Sequence, residues 1–307
     1  MRRKYFFFDI DGTLSTGLTT TMPESAVKCL DLLRQAGHFT AIATGRLQAS
    51  AKTVADRYGF TNIVADGGWS VTIDGKILEM QSLPAAECIR FVDWLRGNGI
   101  PWAISPENEK LCVTSDRNYL SLAPENYFPV LWDPRYDHHV LDHLYKVYFR
   151  CPIGEEEQMQ SGELPLVRYN PEIVFVEPKE KQRGIRKVQE LYHIPDEDIV
   201  VFGDGMNDLC MFGQGWLSIA MGNARDALKA EAVAGELRER LGIIVRAEPD
   251  GGKAAAGADV IVTTTPSPEP LIHAGFVTAG QHITAMGSDA EHKNELSPAI
   301  LKMADLY

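Results

Sequence analysis

Five short apolar runs alternate with helix-patterned segments, and that alternation restricts the chain to a parallel sheet covered by helices. Residues 4–8 (Lys-Tyr-Phe-Phe-Phe) form a short aromatic run that stops at acidic and glycine residues. This is the pattern of a buried strand with a polar loop at its carboxyl end. Residues 23–36 place Ala26, Val27, Leu30, Leu32 and Leu33 at helical spacing, and Gly37 is a natural stop. A second strand at 39–43 is followed by Thr44-Gly45-Arg46, a helix from about 47 to 58, and a third strand at Ile63-Val64-Ala65. The rhythm resumes with a helix at 181–192, a strand at Ile199–Phe202, and a last strand near Leu217–Ala220. The fold class expected is α/β, with a doubly wound parallel sheet.

Between these halves the pattern changes. Residues 84–178 hold several prolines, most of the tryptophans and shorter elements, including a helix-like stretch at 85–97 and strand-like stretches at 111–113 and 145–150. They read as a separate α+β insert. The expected organisation is a core from 1–83 and 179–225, the insert at 84–178, and a C-terminal α/β segment at 226–307. A length of 307 residues suits two or three such domains.

The net charge of −12 gives no broad electrostatic reason to bind nucleic acid or an anionic membrane. Five scattered cysteines without a CxxC pair argue against a disulfide framework or a zinc site and fit a reducing compartment. The basic residues Arg2, Arg3 and Lys4 precede an apolar run that ends at Asp9, so no signal-peptide core and no membrane span is expected. The expectation is a soluble, cytoplasmic protein.

Four chemistry-bearing pieces stand at carboxyl ends of predicted strands or beside them, the edge where open α/β sheets bind ligands. The first holds Asp9 and Asp11, with Gly12 permitting the turn. One carboxylate can attack phosphorus while the other handles the leaving-group proton, and a carboxylate nucleophile divides one hard step into two easier ones. The second is Thr44-Gly45-Arg46, whose hydroxyl and backbone N–H groups suit phosphate oxygens. The third is a lysine, Lys181 or its rival Lys179, whose charge offsets the anionic groups. The fourth is Gly203-Asp204-Gly205-Met206-Asn207-Asp208, whose carboxylates join Asp9 in an oxygen-rich site suited to Mg²⁺.

These motifs, in this order, resemble the haloacid dehalogenase superfamily, and in particular its Cof-like sugar-phosphatase branch, over roughly residues 1–225. The resemblance implies a phosphomonoester hydrolase acting on a small phosphorylated metabolite through an aspartyl-phosphate. It implies Asp9 as nucleophile and metal ligand, and Asp11 as general acid/base with its backbone carbonyl on the metal. Thr44, Gly45, Arg46 and Lys181 would bind phosphate, Asp204 would bind Mg²⁺, and Asn207 and Asp208 would support the site, Asp208 also toward the metal. The insert would be the cap that selects substrate. Lys181 is preferred because Gly184-Ile185 then falls at the family's usual offset. Where the family often has Asn-Gly, this chain reads Asp66-Gly67. A phosphotransferase or mutase would use the same intermediate.

From about residue 224 the chain resembles part of the dinucleotide-binding domain of the ornithine cyclodeaminase and mu-crystallin family. The resemblance rests on Ala258 through Ser267, on Gly280-Gln281-His282 through Gly287-Ser288-Asp289-Ala290, and on Lys293-Asn294-Glu295-Leu296. That family's glycine loop and catalytic lysine region have no counterpart here, so the alternative of an NAD(P)-binding module stands weakened. The segment reads as a fusion joined near Asn223-Ala224-Arg225-Asp226, with Ile243–Arg246 expected to occupy the position of the core's last strand.

Other features have ordinary readings. His138, His139 and His143 suggest a metal cluster, but with no carboxylate–histidine frame evident they read as a polar helix face. Trp94, Trp102 and Trp132 could stack on a sugar but read as core. Gly213-Gln214-Gly215 follows no strand and is set aside as a nucleotide loop.

Overall fold

The computed structural model describes residues 2–15, 21–123, 128–221, 223–242, 244–263, 265, 267–285 and 294–304. They fall into two units, Met1–Ile243 and Ile244–Tyr307. The first unit opens with β1 (Tyr5–Phe8), α1 (Glu24–Gln35), β2 (Phe39–Ala43), α2 (Gln48–Tyr58) and β3 (Ile63–Ala65). A hairpin of β4 (Ser70–Ile73) and β5 (Lys76–Met80) follows. Then come α3 (Ala85–Gly97), β6 (Trp102–Ser105), β7 (Cys112–Thr114), β8 (Val130–Trp132), β9 (Lys146–Arg150), β10 (Leu166–Arg168) and β11 (Ile173–Val176). The unit closes with α4 (Lys181–Tyr192), β12 (Ile199–Gly203), β13 (Leu217–Ala220) and α5 (Asp226–Leu241).

Seven strands form the core sheet in the order β13-β12-β1-β2-β3-β4-β5. The first five run parallel, and the β4–β5 hairpin adds two antiparallel strands at one edge, an addition the sequence reading lacked. In the centre, Phe7 pairs with Val201 on one side and Ala41 on the other. Successive side chains of a strand point to opposite faces, and both faces here are covered. Phe7 packs with Ile185, Val188 and Leu228 of α4 and α5, whereas Phe8 packs with Leu30, Val54 and Ala55 of α1 and α2. That is why β1 reads as an unbroken aromatic run.

The insert is a six-stranded sheet, β10-β11-β9-β6-β7-β8, antiparallel except for the β7–β8 pair. Cys88, Phe91, Val92 and Leu95 of α3 pack against Trp102, Ile104, Val147, Phe149, Val174 and Val176 of this sheet.

The second unit contains α6 (Gly251–Ala255), β14 (Val260–Thr263), β15 (His282–Ala285) and α7 (Pro298–Leu301). β14 and β15 pair in parallel, from Val260↔His282 to Thr263↔Ala285. Ala255, Ile261, Ile272 and Ile300 make a small core. Asp289, and with it the stretch 286–293, lies outside the described residues, as do Thr264 and Pro266.

Ile243–Arg246 does not supply a further core strand. Residue 243 lies outside the described residues, residues 244–246 belong to no strand, and Ile244 is 86% exposed. The sheet ends at β13, on which α5 packs, and α5 ends at Gly242 in a left-handed turn (φ +66°).

No described helix is long and apolar enough to cross a membrane.

The turn after β3 fixes where α4 begins. Gly68 has φ +105°, and a Cβ there would lie 1.9 Å from the carbonyl oxygen of Glu180, immediately before Lys181. Only glycine meets both demands without strain. Gly68→Ala is therefore expected to cost about 1–3 kcal/mol in urea unfolding, because both the φ and the contact must be relieved.

Candidate active site

The carboxyl ends of β1, β2 and β12 converge on one cavity. β1 ends one residue before Asp9, whose backbone N–H still pairs with Phe202 O on β12 (3.1 Å). The chain then turns through Gly12 (φ +89°), where a Cβ would stand 2.1 Å from Asp204 Oδ2. Glycine at this position lets the β1 loop and the β12 loop touch.

Lys181, the first residue of α4, is fully buried among acids. Its Nζ donates to Asp9 Oδ1 (2.7 Å) and Asp208 Oδ1 (2.5 Å). The other oxygen of Asp208 accepts from the backbone N–H groups of Asp204 and Gly205, each at 2.9 Å. Asp208 thus shapes the loop after β12 and anchors Lys181 at once. Thr13 Oγ1 donates to Asp204 Oδ1 (2.9 Å), and Asn223 Nδ2 reaches both Asp204 Oδ2 (3.2 Å) and Gly12 O (3.0 Å). Lys179, the rival lysine, has no place in this constellation: it lies exposed while Lys181 is 1% exposed.

Electrostatics follow from burial. Burial, then the charge of Asp208, pushes the Asp9 carboxyl well above its usual range. Burial alone would lower the Lys181 ammonium, but Asp208 and Asp9 raise it on balance. Burial also raises Asp204. Asp9, Asp204 and Asp208 offer oxygens within 4.8 Å of one another. Three carboxylates around one ammonium leave an excess negative charge that a divalent cation would offset. The donor set, all oxygen, fits Mg²⁺.

Asp11 does not stand open beside Asp9. Arg46 grips it through two N–H bonds, Nε to Oδ2 (2.8 Å) and a terminal nitrogen to Oδ1 (2.5 Å). Thr44 is buried, its Oγ accepting from the Arg46 N–H (3.2 Å). Asp9, Asp11, Thr44, Gly45, Arg46 and Asn207 all line a cavity of about 440 Å³. From the insert, Lys146, Arg168, Tyr169, Phe128 and Phe175 face the same cavity.

Two of the closest links between insert and core were not anticipated. Lys146 on β9 is buried, donates to Gly45 O (2.9 Å) and pairs with Glu177. A Cβ on Gly45 would meet Glu177 Oε1 at 1.9 Å. Lone charges at the ends of the apolar runs Lys-Val-Tyr-Phe and Val-Phe-Val-Glu were the only signal. Asn108 donates to both oxygens of Asp66 (3.0 Å each) and accepts from the Ala49 N–H (3.0 Å).

The tryptophans do not line the cavity. Trp102 is in the core of the insert, Trp94 packs at its edge, and Trp132 is exposed with the Arg117 guanidinium over its ring. The histidines are not a polar helix face. Residues 138–140 form a short 3₁₀ turn, and His138 is buried against Trp102 while His139 is exposed.

A doubly wound parallel sheet with an inserted second sheet and carboxylates at its strand ends defines an α/β class that binds ligands at the carboxyl edge. The chain belongs to the haloacid dehalogenase-like hydrolase family, whose model matches residues 6–234. Residues 223–307 match the ornithine cyclodeaminase/mu-crystallin family. The chain is 24% identical over 260 residues to a pyridoxal phosphate phosphatase of Escherichia coli, covering 76% of this chain and 92% of that one. It is 28% identical to a hypothetical protein of Geobacillus kaustophilus of known structure, with a TM-score of 0.64 over 79% of this chain and all of the other. Over 84 residues, 27% of this chain, it is 51% identical to an uncharacterised cyclodeaminase of Sinorhizobium fredii. The chain spans only 25% of that cyclodeaminase's length.

Asp66 yields a pH prediction. Burial pushes its carboxyl from 3.8 up to about 7, against the hydrogen bonds from Asn108. A raised folded value means the native state holds the proton longer, so this contribution is complete below about pH 4 and is lost as pH rises through about 7. Asp66→Asn, which cannot ionise, should therefore gain stability over the parent between pH 4 and 7. The gain is expected to be a few kcal/mol, about 4 at most from 1.36 kcal/mol per pKa unit. Urea midpoints across that range, compared between the two proteins, check this.

Proposed function

We propose that this chain is a Mg²⁺-dependent phosphomonoester hydrolase that attacks small phosphorylated metabolites through an aspartyl-phosphate on Asp9. The observation that carries the reading is the Lys181 ammonium held between Asp9 and Asp208, beside Asp204, at the strand ends that open onto the cavity. Ammonium and metal together make it possible for one anion to approach another. Asp9, Asp204 and Asp208, with the backbone carbonyl of Asp11, are the groups that would hold Mg²⁺. When bound, the metal neutralises phosphoryl charge and keeps Asp9 ionised.

In this reading a carboxylate oxygen of Asp9 attacks phosphorus and the ester P–O bond breaks. Asp11 gives its proton to the leaving oxygen. The Asp11 carboxylate then takes a proton from water, whose oxygen attacks phosphorus and frees Asp9 and phosphate. Arg46 fits both halves. Its grip on Asp11 stabilises the anionic base, and an arriving phosphate competes for the same guanidinium and frees Asp11 to carry a proton. Thr44, Gly45 and Asn207 offer hydrogen bonds to phosphate oxygens. Residues 84–178 act as the cap, with Arg168 and Tyr169 facing the leaving group. A cavity of about 440 Å³ suits a small metabolite of sugar-phosphate size. Residues 226–307 carry no step.

Asp9→Asn should lower Mg²⁺-dependent hydrolysis of p-nitrophenyl phosphate by at least about 1,000-fold with an unchanged circular dichroism spectrum. Unchanged activity would overturn the nucleophile. Chelation with EDTA should abolish parent activity and Mg²⁺ restore it. Asp204→Asn should raise the Mg²⁺ concentration needed for half-maximal rate.

A further inference from the structure

The cap carries a second convergence of metal-binding groups, on the face formed by α3 and the 138–140 turn. His138 Nε2 lies 2.9 Å from Asp93 Oδ1, and His139 Nε2 lies 3.1 Å from Asp93 Oδ2. One ligand atom from each of the three residues falls within 4.8 Å of the others. In a tetrahedral zinc site with Zn–N bonds of about 2.0–2.1 Å, neighbouring ligand atoms are about 3.3–3.4 Å apart. Both observed separations are within a few tenths of an ångström of that edge. We propose that Asp93, His138 and His139 form a zinc-class divalent metal site on the cap, with water as fourth ligand and Asp137 as the outer carboxylate that orients His139.

The roles divide by atom. His139 Nδ1 is 2.8 Å from Asp137 Oδ1, which leaves Nε2 as the ligating nitrogen. A histidine that hands its second N–H to a carboxylate while its first nitrogen holds metal is a recurrent arrangement in zinc proteins. With metal at Nε2, the Nδ1–H would stay directed at Asp137. His138 is supported from behind by the Trp102 ring, 5.2 Å between centroids. Two imidazoles with one carboxylate select zinc-class ions over Mg²⁺, whose all-oxygen site lies in the core. The bond would staple α3 to the loop that precedes β9.

The Asp204→Asn chain, with the core site weakened, serves as the background for titration calorimetry with Zn²⁺. One equivalent should bind with a micromolar or tighter dissociation constant. His139→Gln and Asp93→Asn in that background should weaken binding at least about 100-fold, and Asp137→Asn about 10–100-fold. His139 is 52% exposed in its side chain, so its replacement leaves packing intact and the melting temperature without zinc should not change. Zinc binding that is undiminished in His139→Gln, or no binding tighter than millimolar in the background chain, would overturn the site.

Discussion

A buried ammonium between two carboxylates organises the core of this protein. Lys181 is the first residue of α4, where a helix dipole disfavours positive charge. It is also 1% exposed, where an isolated ammonium is costly. Asp9 from the end of β1 and Asp208 from the loop after β12 offset both penalties. Such an arrangement is weak evidence for stability, because well-packed apolar residues often do as well. Removing one partner, however, strands the others, at roughly 3–5 kcal/mol. The arrangement therefore ties three segments far apart in sequence into one piece.

The same constraint extends outward through backbone contacts. α4 can deliver Lys181 only if the turn after β3 lies against residues 178–180, and Gly67 and Gly68 allow that approach. The β12 loop can meet the β1 loop only through Gly12. Over this floor the insert meets the core through polar contacts, Lys146 to Gly45 and Asn108 to Asp66 and Ala49, beside the apolar packing of Leu83 and Trp69 against the insert's helix and sheet. Charged and amide groups at a junction are less committed to one geometry than an apolar interface would be.

How much of this was legible depended on whether the signal was local. The runs at 5–8, 39–43 and 199–203 could be read because both faces of a central parallel strand are apolar. Asp9, Thr44, Lys181 and Asp204 could be named because their motifs are short; Asp9 and Thr44 line the cavity, while Lys181 is buried behind it on Asp9 and Asp204 lies beside Asp9 and Asp208. The β4–β5 hairpin was not legible: β5 is mostly exposed and its Lys-Ile-Leu-Glu-Met has no clean alternation. The partner of Arg46 was not legible either, since a guanidinium beside a phosphate motif reads as a phosphate ligand until the fold brings Asp11 to it. Lys146 and Asn108 act across the insert–core junction, and no sequence period encodes such a pairing. The contacts of the histidines with Asp93 were not legible for the same reason. His138 and His139 are adjacent in sequence, but Asp93 is 45 residues away on α3.

The C-terminal unit obeys a different logic. Its strands pair in parallel, and parallel strands are ordinarily covered on both faces. Here only one face of β14 is covered: Ile261 and Thr263 are buried, whereas Val260 and Val262 are 58% and 57% exposed. The Val-Ile-Val run is thus written for burial on two sides and receives it on one. The buried Glu295 carboxylate still ties the end of β14 together, accepting from the hydroxyls of Thr263 (2.7 Å) and Thr265 (2.8 Å). Among the described residues this unit thus combines a threonine-rich strand end held by a buried acid with a half-covered strand. Cofactor chemistry of the kind this segment resembles needs a glycine loop ahead of these strands, and this chain has phosphatase-like core sequence there instead.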